Sequence, residues 1–381
     1  MPQADFLLIL LLLTQTVAQM SVSWYNSVME GIMNDLEFTR SVLAWYDGGH
    51  RDLPWRLTKD PYRIWVSEIM LQQTRAETVI SYYERFLSRY PTVQDLASAV
   101  EEELLKYWEG LGYYTRARSL HKAARLIVSE YGGALPADVA ALRALPGVGD
   151  YTAGAIASIA FGIPAAAVDG NVERVICRYF GMEDTVGTPA VRRAITEMTQ
   201  ALVPHDRPGA FANAMMEMGA VMCTPKNPKC LLCPVRESCR GLAMGIAGEL
   251  PRKAKKKAQR IEKRAVLLVF CGNRVLIIKR KEKLLGGLFV FPDVLEKGTP
   301  AELCAALEEK GIRAAYDEPV GHARHVFTHL IWEMDVHALI ADETVDVPDG
   351  QWVTRDELES LPLPTAVKAA RQWAMERLKY R

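Results

Sequence analysis

An all-α domain followed by a smaller α+β domain is the fold class this sequence predicts, on three observations. From about Asp35 to Gly241 the apolar residues recur at helical spacing, broken by Gly, Pro and Asn, with helix-like runs at 95–108, 116–130 and 191–203. A basic segment, LPRKAKKKAQRIEKR, then interrupts the pattern; its charge and its proline suit a solvated linker, and a phosphate contact accounts for them equally well. Beyond it AVLLVFCGNRVLIIKR reads as two strands joined by a turn at CGNR, and the helix-like PAELCAALEEKG and strand-like LIWEMDVHALI complete a mixed domain.

A chain of 381 residues has length for two or three domains, and 49% hydrophobic with 24% charged residues is the composition of an ordinary globular protein. The formal net charge is zero, so nucleic-acid binding has to come from local basic patches rather than from the global field. The first 30 residues stand apart. Their apolar run Phe6–Leu13 is too short to span a bilayer, and Asp5 stands where a secretory signal carries Lys or Arg. Export is therefore disfavoured, and a start at Met29 or Met33 is the simpler reading.

The stretch YRIWVSEIMLQQT, residues 62–74, predicts a helix with a mostly apolar face, yet it holds Glu68. Positions three and four away share a helix face, so Glu68 lies beside Ile64, Trp65, Leu71 and Gln72, none of them a cation. An unpaired buried carboxylate takes up a proton because desolvation penalises its charged form, and a general acid is made in this way. A partner Arg or Lys from elsewhere in the chain is the alternative, of equal weight.

Cys223, Cys230, Cys233 and Cys239 form C-x6-C-x2-C-x5-C, while Cys177, Cys271 and Cys304 are scattered. A structural zinc site commonly uses paired C-x2-C knuckles. One such knuckle inside uneven longer gaps is closer to the thiolate set of an iron–sulfur cluster, with a disulfide pair as the alternative.

In LPGVGDYTAGAIASIA, Gly147 and Gly149 stand directly before a predicted helix, where close backbone approach and free N–H groups suit a phosphate. Taken by itself, the hairpin is better explained as a glycine turn of purely structural purpose. Further on, VDGNVERV puts Asp169 and Asn171 at a predicted helix start, where both residue types are also ordinary N-caps. A buried Glu, a glycine hairpin, a carboxylate beyond it and a four-Cys tract, in this order, are far more specific together than any one of them.

That combination resembles the helix-hairpin-helix, iron–sulfur family of DNA glycosylases, and within it the adenine DNA glycosylase branch. LPWR, WVSEIMLQQT, EGLGYYTRARSLHKAA, LPGVGDYTAGAI, VDGNVERV, NAMMEMGAVMCT and the Cys tract carry the resemblance, which runs from about Phe38 to Arg381. It implies an uncertain extension at 1–30, a helix-hairpin-helix glycosylase domain at 31–243 with a cluster loop at 223–239, a basic linker at 244–260 and an α+β Nudix-like domain at 261–381. It further implies a [4Fe–4S] cluster on Cys223, Cys230, Cys233 and Cys239, and double-stranded DNA with A:8-oxoguanine or A:G mispairs as the partner. A monomer, no membrane association, and a cytoplasmic, nucleoid-associated location complete the expectation.

Roles follow by the same resemblance. Glu68 is the acid that protonates adenine N7, and Asp169 stabilises the oxocarbenium-like sugar or traps it, with Tyr151 and Asn171 supporting that carboxylate by hydrogen bonds. Where lyase relatives carry a Lys nucleophile this chain has Tyr151, so a monofunctional glycosylase is implied. Gln73 and Tyr113 insert at the lesion, Trp55 and Arg56 line the adenine pocket, and Gly147 and Gly149 form the hairpin. The neighbours Arg116, Arg118, His121 and Lys122 favour a DNA-facing Tyr113 over core packing.

The C-terminal part is similar to the branch's Nudix-like domain, whose Phe-Ser-His loop corresponds to Phe327, Thr328 and His329 here. Thr keeps the hydroxyl and adds a methyl. The tract GGLFVFPDVLEKGTPAELCAALEEKGI has no R-E-x-x-E-E core, so phosphohydrolase activity is not expected. Two other readings are opposed by particular residues: a glycosylase/lyase for oxidised pyrimidines by Tyr151, and a lesion sensor without chemistry by Glu68 and Asp169 together.

Overall fold

The computed structural model describes residues 22–254, 258–282, 284–296 and 298–379, with side chains from Asp35 onward. The apolar run Phe6–Leu13 lies outside the described residues. In chain order the helices are α1 (Val22–Asp47), α2 (Pro61–Leu71), α3 (Ala76–Arg89), α4 (Val93–Ala97), α5 (Glu101–Tyr107), α6 (Thr115–Glu130), α7 (Val139–Ala144), α8 (Asp150–Phe161), α9 (Gly170–Phe180), α10 (Pro189–Leu202), α11 (Pro208–Val221) and α12 (Arg240–Ala243). Strands and helices then alternate as β1 (Arg260–Cys271), β2 (Arg274–Lys279), β3 (Phe289–Val290), β4 (Asp293–Leu295), α13 (Pro300–Glu308), β5 (Ala314–Val326), β6 (Leu330–Ala341), β7 (Gly350–Val353), α14 (Arg355–Ser360) and α15 (Lys368–Arg377). None of the described helices is long and apolar enough to cross a membrane.

The chain forms two compact units, one running up to Glu68 and resuming over Leu135–Ala254, the other made of Ile69–Ala134 and Lys255–Arg381. The first is helical. Its core gathers Phe38 and Val42 from α1, Val175 and Ile176 from α9, Ile195 from α10, and Phe211, Met215 and Met218 from α11. Burying a side chain of this size contributes about 2 kcal/mol each. The helices stop where the sequence says they should: α9 ends at Gly181, whose φ of 65° is the left-handed cap that a residue with a Cβ resists. At Gly219 of α11 an added Cβ would fall 2.5 Å from Asn171 Cβ, so a glycine there lets α11 lie directly on the start of α9.

In the second unit the predicted run 95–108 is not one helix. Thr92 and Asp95 form a capping box that starts α4, and a new helix begins after the extended Val100. The reason is electrostatic: Glu101, Glu102 and Glu103 occupy the first turn of α5, where the positive end of the helix dipole favours them.

The sheet of this unit has the order β3-β2-β1-β6-β5, with β4 on β1 and β7 on β2. Strands β1 and β6 are parallel and central, from Arg260↔Leu330 to Phe270↔Ile340. Alternate residues of β1 enter two cores: Val266, Leu268 and Phe270 pack towards α15, and Ala265, Leu267 and Val269 towards α13. A strand covered on both faces reads as an unbroken apolar run, as AVLLVF does. The β1–β2 turn is Gly272-Asn273, with Gly272 at φ 54°.

Candidate active site

Glu68 projects from α2 and is 2% exposed. Its hydrogen bond comes from the Tyr151 hydroxyl, which also touches Met216 Sδ at 3.3 Å. Burial pushes the Glu68 carboxyl up to about 7; the Tyr151 hydrogen bond and the charge of Arg56 pull it down, and the charge of Asp169 pushes it further up. The partner cation weighed from sequence does not take this residue: Arg56 gives its Nη2 to Glu217 Oε2 at 2.7 Å. The sequence placed Tyr151 in support of Asp169. The structure corrects this, because α8 turns the phenol towards Glu68.

Asp169 is the N-cap of α9, and this ordinary structural duty fixes its carboxyl. Oδ1 accepts from the backbone N–H of Asn171 at 2.9 Å and of Val172 at 2.8 Å, and Oδ2 accepts from Asn171 Nδ2 at 2.8 Å. Burial raises its pKa and these three donors oppose the rise. Of the two buried carboxyls, Asp169 has three N–H donors and Glu68 one phenol, so Asp169 gives up its proton first. Glu68 is thus the better proton donor of the two and Asp169 the better anion.

Arg174, one turn along α9, orders Asn171. Its Nη2 donates to Asn171 Oδ1 at 2.8 Å and to Gly219 O at 2.6 Å, and its Nε donates to Cys223 O at 2.7 Å. With Oδ1 occupied by an arginine, the Asn171 amide has to present Nδ2 to Asp169. The first cysteine of the tract and the carboxylate are therefore joined by an unbroken chain of hydrogen bonds.

Glu217 of α11 is buried beside this group. It accepts from Arg51 Nη2 at 2.8 Å and from Arg56 Nη2 at 2.7 Å; burial opposes its ionisation, yet the two guanidiniums hold the carboxyl at about 2. Arg56 and the buried Trp55 form the short 3-10 turn Pro54–Arg56. Arg51, Arg174, Met216 and Glu217 escaped the reading of the sequence. A carboxylate at position 217 inside the apolar run NAMMEMGAV was the signal that could have found the last of them.

Burial raises the Cys233 and Cys239 thiols, and the seven cysteines are free. Among the described residues no three Cys, His, Asp or Glu side chains converge as a single-ion site requires. Instead Cys223, Cys230, Cys233 and Cys239 line one cavity with Met218, Met222, Val175 and Val235. Four separated thiols around an apolar space fit a cluster that takes one thiolate at each iron. Arg178 contributes Nη1 at 3.4 Å from Cys223 Sγ and 2.7 Å from Thr224 O. A [4Fe–4S] cluster would be held by these four thiolates, where the 223–239 loop lies against α9 and α11.

Gly147 has φ 79° and Gly149 is the extended N-cap of α8, so the hairpin delivers Tyr151 two residues into that helix. The remaining expected residues belong to the second unit. Gln73 and Tyr113 are both left-handed, at φ 58° and 46°, strained for residues with side chains, and Tyr113 is 46% exposed. The basic surface expected around Tyr113 is corrected: Arg116 donates to the carbonyls of Ile69, Met70, Gln72, Leu111 and Gly112, Arg118 pairs with Glu101, and His121 is buried. Lys122 is the exposed one. Phe327, Thr328 and His329 form the turn between β5 and β6, closed by Phe327 N–H to Leu330 O at 2.8 Å, and Thr328 Oγ1 lies 2.9 Å from Tyr113 Oη.

Family models match three segments: the HhH-GPD superfamily of base excision DNA repair proteins over residues 66–201, the iron–sulfur binding domain of endonuclease III over 223–239, and a NUDIX domain over 265–372. The adenine DNA glycosylase of Homo sapiens is 36% identical across 93% of this chain and 77% of its own length. That of Mus musculus is also 36% identical, across 93% and 81%, and that of Buchnera aphidicola (strain Bp) is 28% identical across 88% and 96%. Among solved structures, a thermostable thymine-DNA glycosylase superposes with a TM-score of 0.51 at 33% identity, covering 56% of this chain and 98% of that one.

Proposed function

Because the chain belongs to the adenine DNA glycosylase family, we propose that it removes adenine paired with 8-oxoguanine, or with guanine, from double-stranded DNA and leaves an abasic site without cutting the strand. The observation that carries this reading is the pair of buried carboxyls in unlike surroundings, Glu68 raised to about 7 by burial with one phenol donor and Asp169 held by three N–H donors.

The target base lies inside a duplex and has to leave the stack before any group reaches it. Glu68 then gives its proton to adenine N7, so that the base departs neutral. The glycosidic electron pair goes with the base, and the positive charge that develops on the sugar is met by Asp169, or trapped by it and released by water. Asn171 and Arg174 keep that carboxylate aimed. Tyr151 has no amine to form a Schiff base, which supports a monofunctional enzyme. The locked Arg56–Glu217 pair and Trp55 supply fixed walls for the adenine.

Gln73 and Tyr113 enter the helix at the lesion, and the turn Phe327-Thr328-His329 reads 8-oxoguanine; the exposure and left-handed backbone of Tyr113 support the first assignment. We place the glycosylase domain at 31–243, the linker at 244–260 and the Nudix-like domain at 261–381, in keeping with the matched spans 66–201 and 265–372. The enzyme works as a monomer on chromosomal DNA, in the cytoplasm and at the nucleoid. A duplex with A opposite 8-oxoguanine tests the reading. Strand breakage only after alkali is the expected result; breakage without alkali would mean a lyase, and none at all would remove the assignment.

A further inference from the structure

Trp332, the third residue of β6, sits two positions after Leu330, which closes the Phe327-Thr328-His329 turn. It is 2% exposed. In the sheet it lies between Glu262 of β1 and His325 of β5, so the three side chains form a row on one face. Each fixes the next. Trp332 Nε1 donates to Glu262 Oε2 at 3.0 Å, and the guanidiniums of Arg264 and Arg280 lie over the indole at 4.4 and 5.1 Å from its centroid. Glu262 and Asp293 balance those two charges.

The indole in turn meets the Phe327 ring edge-on, with centroids 4.9 Å apart and planes at 71°, and Phe327 meets His325 at 4.5 Å. Gln259 Nε2 donates to Phe327 O at 2.5 Å. Phe327 is thus half-buried against a side chain that has no freedom of its own, while Thr328 and His329 next to it are exposed. A charged scaffold of this kind costs desolvation of two arginines and adds little stability over an apolar one. What it does supply is a fixed height for the ring above it.

We propose that Trp332 is a positioning residue for lesion recognition: through Phe327 it sets where the turn presents the Thr328 hydroxyl to the damaged guanine. The inference rests on the reading above that this turn recognises 8-oxoguanine. Nothing in the glycosidic chemistry touches Trp332, so its effect falls on the choice between opposing bases and leaves excision opposite guanine alone.

The measurement is the ratio of single-turnover excision rates for A opposite 8-oxoguanine and A opposite guanine, in the full-length, cluster-loaded protein. Trp332→Leu is expected to lower the ratio on the order of fivefold, the size of an aromatic-pair contribution, with the guanine rate unchanged. Phe327→Ala lowers it as much, and the double variant no further, since one residue acts through the other. Should Trp332→Leu fold poorly, Trp332→Phe keeps an apolar ring and loses the Glu262 bond, and about a threefold drop is expected. An unchanged ratio in the Trp332 variants while Phe327→Ala lowers it overturns the inference alone. Equal losses on both substrates, or full additivity in the double variant, overturn it too, because a general structural role gives those. An unchanged ratio in Phe327→Ala removes the underlying reading of the turn, and the inference with it.

Discussion

The Tyr151 phenol donates its hydrogen bond to the Glu68 carboxyl, a residue 83 positions away in sequence. With the Glu68 pKa raised by burial to about 7, excision should fall about tenfold for each pH unit above that value as the acid loses its proton, and fall again in acid as Asp169, whose own pKa burial raises, takes up a proton. Glu68→Gln should bind lesion DNA, lose at least ~100-fold in rate and show no alkaline limb. Single-turnover rates across pH check both. The sign for stability runs the other way from a salt bridge. The folded protein holds this proton up to about 7 and the unfolded chain only to 4.5, so stability present below 4.5 is lost as pH rises to 7. At about pH 8 Glu68→Gln should exceed wild type by about 3 kcal/mol, read from denaturant midpoints, and at about pH 4 by nothing.

Tyr151→Phe removes the hydrogen bond that favours the charged form of Glu68. The alkaline limb should then move to higher pH while the rate falls only a few fold. A limb moved to lower pH would mean that the phenol favours the neutral acid.

Asp169→Asn should abolish most excision, at least ~100-fold, while duplex affinity stays close to wild type. Arg174→Gln disturbs the same carboxylate from behind. It frees the Asn171 amide to rotate and leaves Cys223 O only the longer contact from Arg178, so the rate and the iron content should fall together. Loss of rate with iron intact would show that the two ends of this chain act separately.

The cluster itself gives a colour and a count: the purified protein should be yellow-brown with about four irons per chain. Cys223→Ser, Cys230→Ser or Cys233→Ser should lower iron and duplex affinity more than the chemical step in the fraction that remains folded. Zinc in place of iron after anaerobic purification would contradict the assignment.

Arg116 holds the end of α2 and the 111–112 loop together with five carbonyl acceptors. Arg116→Lys should fail to restore what Arg116→Ala loses, because a point charge on a flexible stem cannot span that fork. Lesion-duplex affinity measured with an uncleavable adenine analogue should fall on the order of tenfold in both, as Gln73 and Tyr113 lose their strained geometry.

Thr328→Ala removes one hydroxyl and should lower the preference for 8-oxoguanine over guanine by a few fold, the worth of one hydrogen bond. Thr328→Ser should match wild type or improve on it. A Ser variant as poor as Ala would show that the methyl, rather than the hydroxyl, makes the contact.

The local patterns were legible. Helical and strand periods, the Gly272-Asn273 turn, the spacing of the four cysteines and the duty of Asp169 as an N-cap all depend on neighbours two to four positions away, and those neighbours are written in order along the chain. The buried Glu68 was legible for the same reason, since Ile64 and Trp65 share its helix face. The split of 95–108 into two helices was missed because the three glutamates at 101–103 fit a helix interior as well as they fit a first turn.

Partners were not legible. Tyr151 turns to Glu68 rather than Asp169, Arg56 is taken by Glu217, and Arg116 spends its charge on carbonyls instead of phosphates; each choice is made by helices that meet from distant parts of the chain. The sequence by itself therefore determined which chemical groups this protein has and which helix, strand or turn carries each. Only the tertiary structure decided which carboxyl is the better proton donor and which the better anion, because burial and hydrogen-bond donors are properties of packing.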